Sequence, residues 1–209
     1  GRPVSAPRLV LVHRQSQLAE LLAEHATLAG VEFFLGSRGQ SVGALASADA
    51  AQQRALETAA AAAPIEWRQA VVERGQLSRF LFEPDDLIAV VGQDGLVPNV
   101  AKYLDGQPVF GIGVGGPGLL CRNRAEDLRG VIDGSVPTVV TRRQLVQIRT
   151  DDGQRLTALN EIFLGARGHQ SARYALAVGG RRETQSSSGL IVGTGTGSTG
   201  WLASPWAQT

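Results

Sequence analysis

Asp86-Leu87-Ile88-Ala89-Val90-Val91-Gly92-Gln93-Asp94-Gly95 is an apolar run closed by two glycines around a carboxylate. A short apolar run of this kind reads as a buried strand, and Gly-Gln-Asp-Gly falls where that strand ends. The next segment, Val97–Leu104, carries Val97, Val100, Ala101 and Leu104 at helical spacing, with Pro98 in the opening turn where a missing N–H is tolerated. Strand, glycine loop and helix together make a place where backbone N–H groups close on an anion.

Working outward, Arg8–His13 reads as a strand and Gln15–Leu28 as a helix, through Leu18, Leu21, Leu22 and Leu28. Val31–Leu35 reads as another strand, and alanine-rich Ser47–Ala63 as a helix stopped by Pro64. Trp67–Val72 and Pro108–Ile112 read as strands. Strands alternating with helices predict a parallel sheet. After about Gly118 the pattern changes. Pro137–Thr150 and Gln154–Leu164 are β-rich and joined by Asp151-Asp152-Gly153; Ser171–Val178 and Arg181–Gln185 are joined by Gly179-Gly180. The expected fold is an α/β N-terminal domain with a parallel sheet, residues 1–118, then an antiparallel β-rich domain of sandwich type, residues 119–209. The second domain is expected to be incomplete at its C-terminal end.

With 209 residues, 43% hydrophobic and 19% charged, the chain has material for a substantial core. Its formal charge is +1, and its basic residues, Lys102 and otherwise arginines, are scattered, which argues against nucleic acid or an anionic membrane as partner. The arginines carry no functional weight on this reading. Cys121 is the single cysteine, so an internal disulfide framework and a Cys-rich zinc site are excluded. No apolar stretch approaches the roughly 20 residues of a membrane span, and a cytoplasmic location is expected. The chain has no methionine, so positions of the natural chain are expected to be missing from it.

Three constellations carry chemistry. At the first loop, Asp94 either accepts a proton from an attacking hydroxyl or helps hold Mg²⁺ beside a triphosphate, or it simply caps the following helix. The second is Asn160-Glu161 within Ala158–Phe163, which grips ribose hydroxyls or a base edge, or else marks an ordinary strand end. The third runs from Ser186 to Trp201 and places hydroxyls around Gly189–Val192 and a loop with glycine at every second position, Thr194-Gly195-Thr196-Gly197-Ser198-Thr199. Such a loop suits close approach of a ligand, with Trp201 as a stacking wall. Gly113-Val114-Gly115-Gly116-Pro117-Gly118 also spells a dinucleotide fingerprint, but Pro117 and the lack of a helix directly after it argue against that. His13, His25 and His169 stand in unlike contexts and suggest no metal cluster.

Taken in order, these motifs resemble the NAD kinase family, part of a wider superfamily with diacylglycerol kinases and 6-phosphofructokinases. The family's Gly-Gly-Asp-Gly loop is similar to Gly92–Gly95, its Asn-Glu pair to Asn160-Glu161, and its Gly-Leu-Ile-Val and Thr-Pro-Thr-Gly-Ser-Thr stretch to Gly189–Thr199. The resemblance implies transfer of a phosphoryl group from ATP to the 2′-hydroxyl of NAD, giving NADP, with Mg²⁺ accompanying the triphosphate and a homodimer or higher homo-oligomer. It implies that Asp94 activates the hydroxyl, that Gly92, Gln93 and Gly95 hold phosphates, and that Asn160, Glu161, Ser188, Thr194, Thr196, Ser198, Thr199 and Trp201 line the dinucleotide site, with no protein-held metal.

Gln93 replaces a family glycine, Leu96 a usual threonine, and Ser188 a usual aspartate. Ser187-Ser188-Gly189 with Thr194–Ser198 and Trp201 resembles the branch of the animal mitochondrial NAD kinase. Two alternatives stand beside the kinase: an NAD-binding sensor or inactive homologue whose donor site is impaired at Gln93 and Leu96, and a lipid kinase of the same superfamily.

Overall fold

The computed structural model describes residues 6–116, 118–168 and 170–199. It divides into two compact units, Gly1–Val140 and Thr141–Thr209.

The first unit is built on a four-stranded parallel sheet in the order β2-β1-β3-β4, with β1 Arg8–His13, β2 Arg68–Glu73, β3 Asp86–Gly92 and β4 Val109–Gly113. β1 and β3 lie in the middle and run in step, from Arg8 opposite Asp86 to His13 opposite Val91. Their apolar residues, Leu9–Val12 and Ile88–Val91, are fully buried, as a parallel sheet covered on both faces requires. Each such side chain contributes roughly 1.5–3 kcal/mol by leaving water, so this strand pair anchors the unit. From β1 the chain moves outward to β2, returns to β3, then moves outward the other way to β4. Connections therefore diverge between β1 and β3, which leaves a crevice at their carboxyl ends.

The helices follow their caps. α1 (Gln17–His25) starts at Ser16, whose hydroxyl accepts the Ala19 N–H at 3.2 Å, and ends at Ala26 with φ 61°. Thr27 then caps α2 (Leu28–Gly36), accepting the Gly30 N–H at 3.1 Å. This corrects the strand expected at Val31–Leu35. Its β-branched and aromatic residues suggest a strand, but Val31 and Leu35 are four apart and buried on one helical face while Phe33 is 83% exposed. α3 (Val42–Ala62) begins five residues ahead of the expected helix and stops before Pro64. Ala59 and Ala62 bring its backbone close over Leu9, Leu11, Ala89 and Val91. α4 (Leu96–Ala101) is shorter than expected, its end tightened by Tyr103 N–H to Val100 O and Leu104 N–H to Ala101 O. α5 (Asp127–Asp133) has no counterpart in the sequence expectation; Leu128 is fully buried, and Val131 and Ile132 join the same core.

In the second unit the described strands pair antiparallel, as expected for its β-rich half. β5 (Val146–Arg149) pairs with β6 (Arg155–Ala158), β7 (Glu161–Leu164) with β10 (Leu190–Gly193), and β8 (Ala172–Val178) with β9 (Arg181–Ser187). Both expected hairpin turns are present. Gly179 and Gly180 take φ of 54° and 79°, the left-handed pair that lets a two-residue turn match strand twist. No described helix is long and apolar enough to cross a membrane.

Candidate functional site

The Gly92–Gly95 loop follows β3 at the crevice. Gln93 O accepts the Leu96 N–H at 3.0 Å and Asp94 O the Val97 N–H at 3.2 Å, which starts α4. Gly95 is the N-cap and no side chain caps this helix, so the capping role open to Asp94 in the sequence is not the one it takes. Its carboxylate points instead at the turn that follows β4. Oδ2 accepts the Leu119 N–H at 2.7 Å, and Oδ1 accepts the Leu120 and Cys121 N–H groups at 2.9 and 2.8 Å. Burial, the largest single influence, pushes this carboxyl up; the three N–H bonds and the Arg122 charge together outweigh it and hold the group below the usual carboxylate range. Asp94 is thus ionised and fixed.

The glycine run after β4 owes its composition to the same turn. Asn123 donates its backbone N–H to Gly111 O at 3.1 Å and its side-chain amide to the same oxygen at 2.9 Å. A Cβ on Gly111 would lie 2.1 Å from Leu120 O, and one on Gly118 would lie 2.0 Å from Asp94 Oδ1. Gly111, Gly113 and Gly118 therefore let a returning loop and a carboxylate come within contact of β4, whereas Gly115 and Gly116 take φ of 87° and 136° and a Cβ there would meet nothing within 4 Å.

In the second unit, the sequence-predicted residues converge at one end of the β7–β10 ladder, where Gly193 pairs with Glu161. Thr194 donates its N–H to Asn160 O at 2.8 Å and its hydroxyl to Leu159 O. A tight turn then forms, with Gly197 N–H to Thr194 O at 3.1 Å and the Ser198 hydroxyl to Gly195 O at 2.7 Å. Gly197 sits so close to Asn160 that a Cβ would lie 2.4 Å from its carbonyl oxygen. Thr196 is half-buried in this turn. Glu161 Oε2 is buried and has no hydrogen-bond partner among the described residues, an acceptor that burial makes costly unless a donor arrives.

Ser188 is not part of this cluster. It is exposed and precedes β10, at the end of that strand opposite Thr194, so Gly189 and the four residues of β10 lie between, the latter roughly 13 Å of extended chain. Thr199 closes the 3₁₀ turn Gly197–Thr199, and Trp201 lies outside the described residues.

Sequence reasoning missed Arg14, Arg74 and Lys102, which line a cavity at the carboxyl ends of β1 and β2. Arginine abundance masked them. Their signal is position: Arg14 and Arg74 each directly follow the last residue of a parallel strand.

The first unit is thus an open parallel α/β sheet with a glycine loop at the carboxyl ends of its strands, where ligands of such sheets bind. The chain is also similar in sequence to a curated relative. The chain is 35% identical over 125 residues to the NAD kinase of Methanocorpusculum labreanum, a match covering 57% of this chain and 45% of that protein. It therefore spans less than half the length of this curated relative. The structure is also similar to the crystal structure of an NAD kinase from Archaeoglobus fulgidus in complex with ATP, with a TM-score of 0.47 and 20% identity, over 94% of this chain and 64% of that one. No protein-family model matches the chain.

Proposed function

We propose that the chain is an NAD kinase-like phosphotransferase that moves a phosphoryl group from ATP to the 2′-hydroxyl of NAD. The observation that carries this reading is the convergence of Asn160, Glu161, Thr194 and Ser198 on one strand end, with Glu161 Oε2 unpartnered among the described residues. A ribose hydroxyl is the kind of donor that oxygen lacks. The 35% identity to an NAD kinase supports the same choice.

On this reading Asn160, Glu161, Thr194 and Ser198 hold the dinucleotide and Asp94 acts on the reacting hydroxyl. A carboxylate has about four acceptor positions, and backbone N–H groups take three at Asp94. The remaining one orients the 2′-hydroxyl. Its oxygen forms the new bond to the γ-phosphorus as the bond from phosphorus to the β-phosphate bridging oxygen breaks, its proton passing to Asp94 and ADP leaving, a reaction that depends more on positioning than on a strong base. The homo-oligomer and the cytoplasmic location belong to the same proposal.

Mg²⁺ enters with the triphosphate. Among the described residues no group of three His, Cys, Asp or Glu side chains could hold a metal, and Asp94 faces N–H donors that a cation would oppose, so these residues do not fit a resident ion.

The test is to incubate the protein with NAD, ATP and Mg²⁺ and assay NADP, with Asp94→Asn and Glu161→Gln in parallel. NADP formation that both substitutions reduce is expected; equal rates for all three proteins would remove both residues from the mechanism. One observation favours a second reading, an NAD-binding protein without turnover: the bonds that hold Asp94 also weaken it as a base. That reading predicts NAD binding by calorimetry and no NADP.

A further inference from the structure

The turn that holds Asp94 also carries a cation. Cys121-Arg122-Asn123 returns beside β4, with Asn123 bridged in parallel to Ile112. Hydrogen bonds from four main-chain groups clamp this stretch on both sides of Arg122. The Cys121 N–H goes to Asp94 Oδ1 at 2.8 Å, and the Cys121 carbonyl accepts the Gly118 N–H at 3.0 Å. The Asn123 N–H goes to Gly111 O at 3.1 Å, and the Asn123 carbonyl accepts the Gly113 N–H at 3.0 Å. Successive side chains of an extended chain alternate in direction. Cys121 is 1% exposed and the Asn123 amide turns to Gly111 O, while Arg122 between them is exposed. The backbone is fixed and the guanidinium is left in solvent.

Arg122 stands near Asp94 without closing on it. Its charge helps to hold that carboxyl below the usual range, so the two groups interact across the turn. Yet Arg122 forms no ion pair among the described residues. The neighbouring arginines are engaged: Arg124 lies 3.5 Å from Glu126, and Arg129 donates to Ala61 O. A carboxylate fixed by three N–H groups, with an arginine held beside it and not on it, leaves a place for a group that engages both. A hydroxyl receiving a phosphoryl group is of that kind. Its proton goes to the carboxylate, and the arriving anion needs a cation to offset the Asp94 charge.

We infer that Arg122 is a catalytic residue that grips the phosphoryl group as it lands on the 2′-oxygen and stays on the 2′-phosphate of the product. That this phosphate is the one being transferred rests on the kinase reading above; the contact to a 2′-phosphate does not. The 2′-oxygen bonds to the γ-phosphorus, and the bond to the β-phosphate bridging oxygen breaks with its electron pair leaving on ADP. The hydroxyl proton passes to Asp94. Arg122 exchanges no proton and donates paired N–H bonds to the oxygens of the moving group. NAD has no phosphate at that position, so Arg122 separates product from substrate.

The experiment is calorimetric titration of the protein with NAD and, separately, with NADP, repeated on Arg122→Gln and Arg122→Lys. The side chain is exposed, and a thermal melt checks that each variant folds. Arg122→Gln is expected to weaken NADP about tenfold or more, the effect of losing one charge-assisted hydrogen bond, and to leave NAD unchanged. Arg122→Lys keeps the charge without the fork and is expected to recover part of the NADP affinity. A role confined to holding the turn moves both ligands together. Equal losses for NAD and NADP therefore overturn the inference, as does unchanged NADP affinity or a wild-type protein that binds no NADP. In the NADP-forming assay, Arg122→Gln is expected to lower kcat roughly ten- to a hundredfold at an unchanged KM for NAD; an unchanged kcat overturns the catalytic role. A wild-type protein that binds both dinucleotides and makes no NADP removes the kinase reading, and selective loss of NADP in Arg122→Gln then still places the guanidinium on the 2′-phosphate.

Discussion

Asp94 Oδ1 accepts the backbone N–H of Cys121 at 2.8 Å, and with the Leu119 and Leu120 bonds this ties the end of β3 to the turn after β4. The sign of its pH effect follows from the lowered pKa of Asp94. A depressed carboxyl contributes stability that is fully present above the unfolded value, about 4, and is lost as pH falls through the folded value. Asp94→Asn substitutes an amide that brings its own donors toward three N–H groups. It is expected to destabilise the first unit by about 1–3 kcal/mol at neutral pH. Urea denaturation of both proteins should show that gap closing as pH falls below about 4. A gap independent of pH would mean that the charge is not what holds the turn.

The other end of that hydrogen bond makes a chemical prediction. The Cys121 thiol is buried, and burial first, then the Asp94 charge, push it up to about 12. At pH 8 only about one molecule in ten thousand carries the thiolate that reacts. The folded protein is therefore expected to resist a disulfide-exchange thiol reagent, and the denatured protein to react fully with one equivalent. Fast labelling under native conditions would contradict the burial of this turn.

At the amino ends of the same strands, Arg8 grips Asp86 through both oxygens, Nε to Oδ1 at 2.8 Å and Nη2 to Oδ2 at 2.7 Å. Asp86 is 1% exposed and also accepts the Glu83 N–H at 2.7 Å. Arg8→Ala strands this carboxylate in the interior, a change that typically destabilises by about 3–5 kcal/mol. Arg8→Lys keeps the charge but not the fork, so it should recover only part of that loss. Chemical denaturation of the two variants measures the difference. This pair lies at the strand ends opposite the glycine loop, so NAD binding by folded Arg8→Lys should match the wild type.

What the sequence revealed, and what it hid, divides along physical lines. β1 and β3 could be read almost to the residue because both are continuous apolar runs ended by polar or glycine residues. α2 was hidden because Val31, Phe33 and Phe34 are typical of strands, and only the Thr27 cap and the Val31/Leu35 spacing decide for a helix. α5 is seven residues long, too short for periodicity to stand out. The candidate residues Asn160, Glu161 and Thr194 were visible as polar groups in apolar runs. The partners of Asp94 were not, because they are backbone N–H groups of Leu119, Leu120 and Cys121. Side-chain identity does not encode where a main-chain donor points.

Two glycines in the Thr194–Thr199 turn look alike in sequence and differ in the structure. A Cβ on Gly197 would come within 2.4 Å of Asn160 O, whereas one on Gly195 meets nothing within 4 Å. Gly197 also donates its N–H to Thr194 O, so it cannot shift without loosening the turn from Asn160. Gly197→Ala should therefore separate the turn from the strand end, at a cost of about 1–3 kcal/mol for the forced contact. Gly195→Ala should leave the melting temperature close to that of the wild type. If the turn holds the dinucleotide, NAD affinity measured by calorimetry should drop at least tenfold in Gly197→Ala, the equivalent of about 1.4 kcal/mol. A Gly197→Ala protein that melts and binds NAD like the wild type would show that the close approach of Gly197 to Asn160 does not organise the site.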